Sequence, residues 1–328
     1  MRSFSIALAV SLIAGIAGLS GFSRISGSSG FSGSGKTGAN GADTLTVTFT
    51  GDLLLDRGVR RVIEKHGGNP DCLFTPGVDS LFARSQVVVA NLECPATKVK
   101  APVFKRFIFR AEPEWLPALR RHGITHLNLA NNHAIDQGRE GLMDTRRNII
   151  AADMIPVGAG ATMDEAVRPV LLSEKPRRVW LCTSVRLMLE NFAYLDDHPS
   201  VSQEPMDSLL QRIRRQRNDD PSAVIIVSLH WGGEHTLRPV AAQRFDAHRL
   251  IDAGADALIC HHTHTMQTME TYRDRPIYYS IGNFIFDQRK PENSQASLVS
   301  LTITADTVKA TTIPIKISNC IPALMPYD

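Results

Sequence analysis

Short apolar segments rich in β-branched residues recur along the chain from residue 45, and helical segments separate most of them. The clearest strand candidates are LTVTF (45–49), VVVAN (87–91), THLNLAN (125–131), VIIVSLH (224–230) and DALIC (256–260). Helices are predicted around 57–66, from Pro113 to Gly123, over 138–152 and over 241–252. This alternation of strands and helices favours an α/β layered fold with a largely parallel core sheet.

The carboxyl-terminal part has a different pattern. PIYYSIGNF at 276–284 is predicted to be one strand, and residues 296–314 alternate β-branched residues without an intervening helix. The second segment therefore predicts added antiparallel strands. No internal repeat or strong linker interrupts the sequence after residue 44, so we predict one domain over residues 44–328.

The amino-terminal segment has the character of a targeting sequence. Residues 4–19 carry no charge and follow Arg2, which fits the core of a long signal peptide or a short membrane anchor. Residues 20–43 are mostly Gly and Ser and cannot bury enough apolar surface to fold. We predict a signal peptide or anchor over 1–20 and a flexible linker over 21–43. The folded part would then be membrane-anchored on the extracytoplasmic side, or periplasmic or secreted after cleavage.

The overall charge gives little information about partners. A formal net charge of +3 is too small to indicate, by itself, nucleic acid or an acidic polymer.

Each candidate core strand ends in side chains that can bind metal ions. In open α/β sheets the ligand crevice lies outside the carboxyl ends of the strands, so these side chains are expected to converge. They are Asp52, Asn91 and Glu93, Asn131 to His133 with Asp136, His230 with Glu234, and the histidines 261, 262 and 264.

A cluster of carboxylates and imidazoles is costly without a counter-ion, and a divalent cation removes that cost. Imidazole nitrogen combined with carboxylate and amide oxygen suits Mn, Fe or Zn. On an extended chain, His262 and His264 would point to one side and His261 to the other.

Six sequence blocks together resemble the CapA/PgsA family of capsule and poly-γ-glutamate biosynthesis proteins, a branch of the calcineurin-like metallophosphatases. The resemblance covers about 45–290, and its two most specific blocks are NLANNHAIDQG and YYSIGNFIFDQ. The others are TFTGDLLLDRG, VVVANLECP, IIVSLHWGGEH and LIDAGADALICHHTHTMQ. The resemblance implies a metallophosphatase-like αββα sandwich, in which two central mixed sheets are flanked by helices and the metal site lies at the strand ends.

The resemblance also implies roles for individual residues. His133 matches the histidine that protonates a leaving group, and Asp136 lies where an acid would orient it. Arg57, Asn91, Glu234, His261 and Asn283 are candidate substrate-binding residues. The implied ligands of one or two divalent ions are Asp52, Glu93, Asn132, His230, His262 and His264.

The sequence departs from the metallophosphatase pattern in its first block. That block reads Asp52-Leu53-Leu54, so the histidine expected two positions after the aspartate is absent. One metal position therefore loses a nitrogen ligand, and it is predicted to be weaker, water-rich or empty.

Three functions remain open from the sequence. The first is a metal-dependent hydrolase acting on a phosphoester or on a bond of an anionic surface polymer. The second is a non-catalytic extracytoplasmic subunit that binds the polymer and contacts membrane subunits of a synthesis or export complex. The third is an exported α/β protein whose histidines are structural. No nucleic-acid partner is expected.

Overall fold

A computed structural model describes residues 44–188 and 197–326 of the chain. The predicted targeting segment (1–20) and the predicted linker (21–43) precede these residues, so both lie outside the described part. No helix within the described ranges combines the length and the apolar character needed to cross a membrane.

The described residues form strands and helices in alternation along much of the chain. The strands are β1 (Leu45–Leu53), β2 (Val87–Leu92), β3 (His126–Asn128), β4 (Ile155–Val157), β5 (Ala159–Gly160), β6 (Val170–Ser173), β7 (Val179–Val185), β8 (Ser200–Val201), β9 (Val224–His230), β10 (Ala257–Ile259), β11 (Met269–Tyr272), β12 (Arg275–Tyr278), β13 (Asn283–Ile285), β14 (Gln295–Ile303), β15 (Val308–Ser318) and β16 (Ile321–Leu324). The helices are α1 (Arg57–Lys65), α2 (Pro76–Phe82), α3 (Leu116–Arg121), α4 (Gly138–Ala151), α5 (Met163–Ala166), α6 (Met206–Asp219), α7 (Ala241–Asp252) and α8 (Pro291–Ser294).

Most strands belong to two mixed sheets. The larger sheet has the order β16-β15-β14-β1-β2-β3-β4, with β13 also paired with β1, and the smaller has the order β11-β12-β10-β9-β7-β6. Strands β1 to β4 run parallel to one another, as do β7, β9, β10 and β12. The antiparallel strands predicted within 296–314 correspond to β14 and the first part of β15, and β16 adds a further antiparallel strand at the edge of the larger sheet.

Three apolar cores show how the layers stack. Val47 and Phe49 of the larger sheet share a buried core with Leu181 and Ile226 of the smaller sheet, so the two sheets pack face to face. The opposite face of the larger sheet packs on helices α1 to α4. Ile225 and the residues that alternate with it along β9 share a core with α6 and α7, so these helices cover the other face of the smaller sheet. The layers therefore run helix, sheet, sheet, helix, which confirms the predicted αββα sandwich.

The single strand predicted over 276–284 is wrong, because this segment forms two strands in different sheets. Strand β12 pairs with β10 of the smaller sheet, whereas β13 pairs with β1 of the larger sheet. Gly282 precedes β13 with φ 77°, a left-handed conformation that favours glycine and breaks the strand. This crossing places Asn283 opposite Asp52.

Candidate metal centre

The six predicted metal ligands lie together where the carboxyl ends of strands from both sheets meet. The larger sheet and its loops supply Asp52, Glu93 and Asn132, and the smaller sheet and its loops supply His230, His262 and His264. All but Asn132 are buried. The cluster is therefore enclosed between the sheets.

One group of ligand atoms surrounds Nε2 of His230. This nitrogen lies 2.9 Å from Oδ1 of Asn132, 3.0 Å from Oε1 of Glu93 and 3.1 Å from Nδ1 of His262. Neighbouring ligands of an octahedral ion with bonds of about 2.1 Å are roughly 3.0 Å apart. The spacing from His230 to its three neighbours is thus that of adjacent ligands around one cation.

A second group combines Asp52, Glu93 and His264. Nδ1 of His264 lies 3.3 Å from Oδ2 of Asp52, and its Nε2 lies 3.8 Å from Oε2 of Glu93. Each group has potential ligand atoms within 4.8 Å of one another, and Glu93 belongs to both groups. Asp52, Glu93 and His264 would hold a second cation, and Glu93 is the candidate ligand common to both groups.

Glu93 provides the strongest test of whether a cation fits. Both of its carboxylate oxygens are buried and receive no hydrogen bond. Burial, together with the nearby charge of Asp52, raises the pKa of Glu93 to about 8. The 3.0 Å contact with His230 does not compensate, because burial lowers the pKa of His230 to about 3 and leaves its imidazole neutral. A divalent cation would supply the missing positive charge.

Of the other ligands, His262 and Asp52 already have the protonation states that bind metals, whereas His264 would have to lose a proton. Burial, with repulsion from His230 and His264, lowers the pKa of His262 to about 2, and neutral imidazole is the form that binds metals. Burial opposes ionisation of Asp52, but the hydrogen bond from His264 and the surrounding histidines bring its pKa well below the usual range. Burial likewise opposes protonation of His264, but Glu93 and Asp52 outweigh it and raise that pKa to about 9.

The histidine-rich segment does not have the extended conformation that the sequence suggested. His262 and His264 have left-handed φ angles of 98° and 57°, so the chain turns sharply at both residues. The expectation that His261 points away from the other two is wrong, because its Nδ1 lies 3.5 Å from Oδ1 of Asp52. Alternation of side chains applies to extended backbone, and this turn is not extended.

His133 and Asp136 form a hydrogen-bonded pair beside the ligands. Nδ1 of His133 lies 2.8 Å from Oδ2 of Asp136, and the backbone NH of Phe109 donates to the same oxygen at 2.8 Å. The ring of Phe109 stacks on His133 at 4.2 Å, and Lys105 forms a 2.9 Å ion pair with Oδ1 of Asp136. These contacts fix the imidazole ring and leave its Nε2 available for proton transfer.

The predicted substrate-binding residues occupy two kinds of position. Arg57 and Glu234 lie at the surface, with side chains 33% and 48% exposed. Asn91 and Asn283 lie behind the ligands instead. Asn91 donates to Asp52 at 2.9 Å, and Asn283 holds Nδ1 of His264 at 2.9 Å. The structure therefore gives these two amides the geometry of residues that position ligands rather than substrate.

Sequence reasoning did not select three residues that support the site. Lys105 lies in a loop without a recognisable motif, although its ammonium also donates to the carbonyl of Asn132 at 2.9 Å. Asn128 donates to Asn91 at 3.1 Å, and Asn293 donates to the carbonyl of His264 at 2.8 Å. A polar residue within the apolar strand β3 was the available signal for Asn128.

Comparison with known proteins gives the chain a family. Residues 46–288 match the family described as bacterial capsule synthesis protein PGA_cap. The capsule biosynthesis protein CapA of Bacillus anthracis is 31% identical over 266 residues, which cover 78% of this chain and 63% of that protein. The PGA biosynthesis protein CapA of Bacillus subtilis (strain 168) is 30% identical over 291 residues, which cover 87% of this chain and 75% of that protein.

Among solved structures, the sulfate thiohydrolase SoxB of Thermus thermophilus aligns with a TM-score of 0.48 at 12% identity, covering 83% of this chain and 57% of SoxB. The present chain spans less than two thirds of the length of the Bacillus anthracis relative. The family match nevertheless includes the six candidate ligands and the His133–Asp136 pair. It confirms the resemblance seen in the sequence: the chain belongs to the PGA_cap family of bacterial capsule synthesis proteins.

Proposed function

We propose that this chain is a divalent-metal-dependent hydrolase that cleaves a phosphoester or a polymer bond during capsule or poly-γ-glutamate biosynthesis. The observation that carries the proposal is the buried carboxylate of Glu93, which has no hydrogen-bond donor and is shared by two groups of metal-ligand atoms. The names of the two Bacillus relatives support the assignment to capsule and polyglutamate biosynthesis.

The residues of the chain have distinct tasks in this reaction. Asp52, Glu93, Asn132, His230, His262 and His264 would hold one or two ions of Mn, Fe or Zn. When bound, such ions polarise the scissile group and lower the pKa of water. His133 donates a proton to the leaving group from Nε2, while Asp136 accepts the hydrogen bond from Nδ1 and keeps the ring oriented.

A second candidate function is a non-catalytic subunit that binds the polymer for synthesis or export. The first sequence block favours it, because Leu54 stands where metallophosphatases have a histidine ligand, and Leu54 is fully buried in the apolar core. The group of Asp52, Glu93 and His264 thus has fewer nitrogen donors than the family pattern supplies. A single firmly bound ion would suit binding better than two-metal hydrolysis.

We also propose that the folded part works outside the cytoplasmic membrane. The uncharged segment 4–19 and the Gly/Ser-rich segment after it support export followed by anchoring or cleavage. Membrane subunits of a polymer synthase would then be within reach of the site.

Metal analysis and hydrolysis assays on the purified full-length chain test these alternatives. We expect stoichiometric Mn, Fe or Zn in the wild type, with metal lost in His262→Ala and His264→Ala and retained in His66→Ala, a control on an exposed histidine. His133→Ala should keep its metal but hydrolyse a phosphodiester or poly-γ-glutamate about 10²–10⁴-fold more slowly.

Each contrary result identifies a different alternative. Protein without stoichiometric metal would mean that the histidines are structural. If the wild type and His133→Ala both bind metal and hydrolyse the substrates at the same rates, this site has no enzymatic role. The binding subunit would then be the remaining alternative.

A further inference from the structure

A groove of about 750 Å³ opens beside the candidate metal centre. One wall is α1, and the other is formed by the segment after β13 and the turn between β15 and β16. Phe286 and Asp287 line it at the end nearest the metal centre. Because Phe286 also packs on His264 with ring centroids 4.6 Å apart, the groove and the metal centre share a wall.

Arg57 stands at the junction between the groove and the site. Its guanidinium lies 5.4 Å from the ring centroid of Phe286 and 4.8 Å from that of Phe109, the ring that stacks on His133. It also pairs with Asp287. A chain that leaves the metal centre past Arg57 would enter the groove directly.

The groove carries an excess of positive charge. Arg57, Arg61 and Lys65 recur every four residues along α1, so their side chains follow one face at intervals of roughly 6 Å. Arg289 lines the opposite wall. Within the described parts of the chain, no ion pair joins a carboxylate to Arg61, Lys65 or Arg289. Asp287 is the acidic residue lining the groove, and Arg57 already neutralises it.

The remaining lining residues are apolar or neutral. Val62 and Ile317 supply aliphatic surface, and Ser318 and Asn319 supply hydrogen-bonding groups. Aliphatic surface between spaced cations suits a chain that separates its anionic groups by methylene carbons. Inorganic polyphosphate has no such carbons, so a polycarboxylate chain fits this lining better.

We propose that this groove binds the unreacted length of an extended polycarboxylate chain whose scissile end lies at the metal centre. The proposal rests on the proposed function and adds the path of the substrate. Arg61, Lys65 and Arg289 hold successive carboxylates by charge, and Arg57 marks the point where the chain enters the site. Affinity therefore increases with chain length and falls with ionic strength.

Binding of labelled poly-γ-glutamate to the purified full-length chain tests the path. Fluorescence anisotropy is measured in a His133→Ala background, so that the ligand is not consumed, with a long polymer and with a dipeptide of γ-linked glutamate. The double substitution Arg61→Glu/Lys65→Glu reverses the charge of two side chains that line the groove. The double substitution Arg214→Glu/Arg215→Glu makes the same change in charge at exposed positions of α6. Inorganic polyphosphate serves as the competing polyanion.

We expect the groove reversal to weaken binding of the long polymer about tenfold or more at low salt, and the α6 reversal to weaken it less than about threefold. Dipeptide affinity should stay the same in both variants. Equal losses in the two variants, an unchanged affinity in the groove variant, or tighter binding of polyphosphate than of poly-γ-glutamate would overturn the proposal. Since no turnover is measured, a failed hydrolase assignment would leave this result interpretable.

Discussion

At the residue scale, Glu93 is suited to binding a cation, but the same buried carboxylate destabilises the metal-free protein. This buried carboxylate has lost its hydration and receives no hydrogen bond, and its 3.8 Å contact with Nε2 of His264 does not bring its pKa back to the usual range. Proteins tolerate such a group where a ligand supplies the missing interaction. The strand end after β2 could be identified from the sequence because the polar residues Asn91 and Glu93 follow the apolar run 87–90. The lack of hydrogen-bond donors to Glu93 depends on every neighbour and required the structure.

Replacing Glu93 with glutamine should therefore stabilise the metal-free protein and abolish its response to metal. In chelator at pH 7.5, we expect Glu93→Gln to raise the free energy of unfolding by roughly 1–4 kcal/mol, because the amide is already neutral, whereas Glu93, with its pKa raised to about 8, must take up a proton or bury a charge when the protein folds. Urea denaturation measures this change. Glu234→Gln, at a side chain 48% exposed, is the control and should change the free energy little. A destabilised Glu93→Gln protein would show that the carboxylate has a partner that the structure does not reveal.

At the element scale, the positions of the ligands depend on where strands end and turn. The ends of β1, β2 and β9 were predictable to within a few residues, because their β-branched runs are followed by polar positions at Gly51–Asp52, Asn91 and His230. His262 and His264 were predicted as metal ligands from an extended backbone conformation, which is wrong. The left-handed φ angles at His262 and His264 could not be read from residue type, because positive φ is uncommon in every residue except glycine, and histidine adopts it only somewhat more often than most. The surrounding contacts impose this turn, so a local pattern could not give it.

The close contact between β1 and β13 can be tested by adding one methyl group between the two strands. A Cβ atom on Gly51 would lie 2.1 Å from the carbonyl oxygen of Gly282, which accepts the backbone NH of Asp52 at 3.0 Å. Gly51→Ala should separate the two strands, lower the free energy of unfolding by about 2 kcal/mol or more, and weaken metal binding by moving Asp52. Calorimetric metal titration and urea denaturation measure the two effects.

Gly77→Ala is a matched control for that substitution. Its added Cβ would meet side-chain atoms of Leu324 at 3.4 Å, an ordinary contact, and the residue lies in helix α2. We expect a change of less than about 1 kcal/mol and unaltered metal affinity. If the two alanine variants behaved alike, close packing of β1 on β13 would not be what positions Asp52.

At the scale of the whole molecule, the candidate metal centre takes its predicted ligands from both sheets. Strand–helix alternation predicted an α/β layered fold, and the family resemblance implied the αββα layering. The division of residues 276–284 between two sheets was not predictable, because strand partners far apart in the sequence decide it. The same limit applies to Lys105, whose loop reaches Asp136 through tertiary packing. The apolar core between the sheets ends where the polar cluster begins, so cations there would replace apolar contact as the link between layers.

Metal binding should therefore stabilise both sheets as one unit. At a free Mn or Zn concentration 100-fold above the dissociation constant, a single bound ion adds about 2.7 kcal/mol to the free energy of unfolding. Asp52→Asn removes a charged ligand from the larger sheet and His230→Ala removes a ligand from the smaller sheet, so each should lose most of this gain. Thermal unfolding with and without metal measures it, with His66→Ala as the variant that keeps the full response. If metal stabilised His230→Ala as much as the wild type, the ion would be held by one sheet alone, and the centre would not link the two layers.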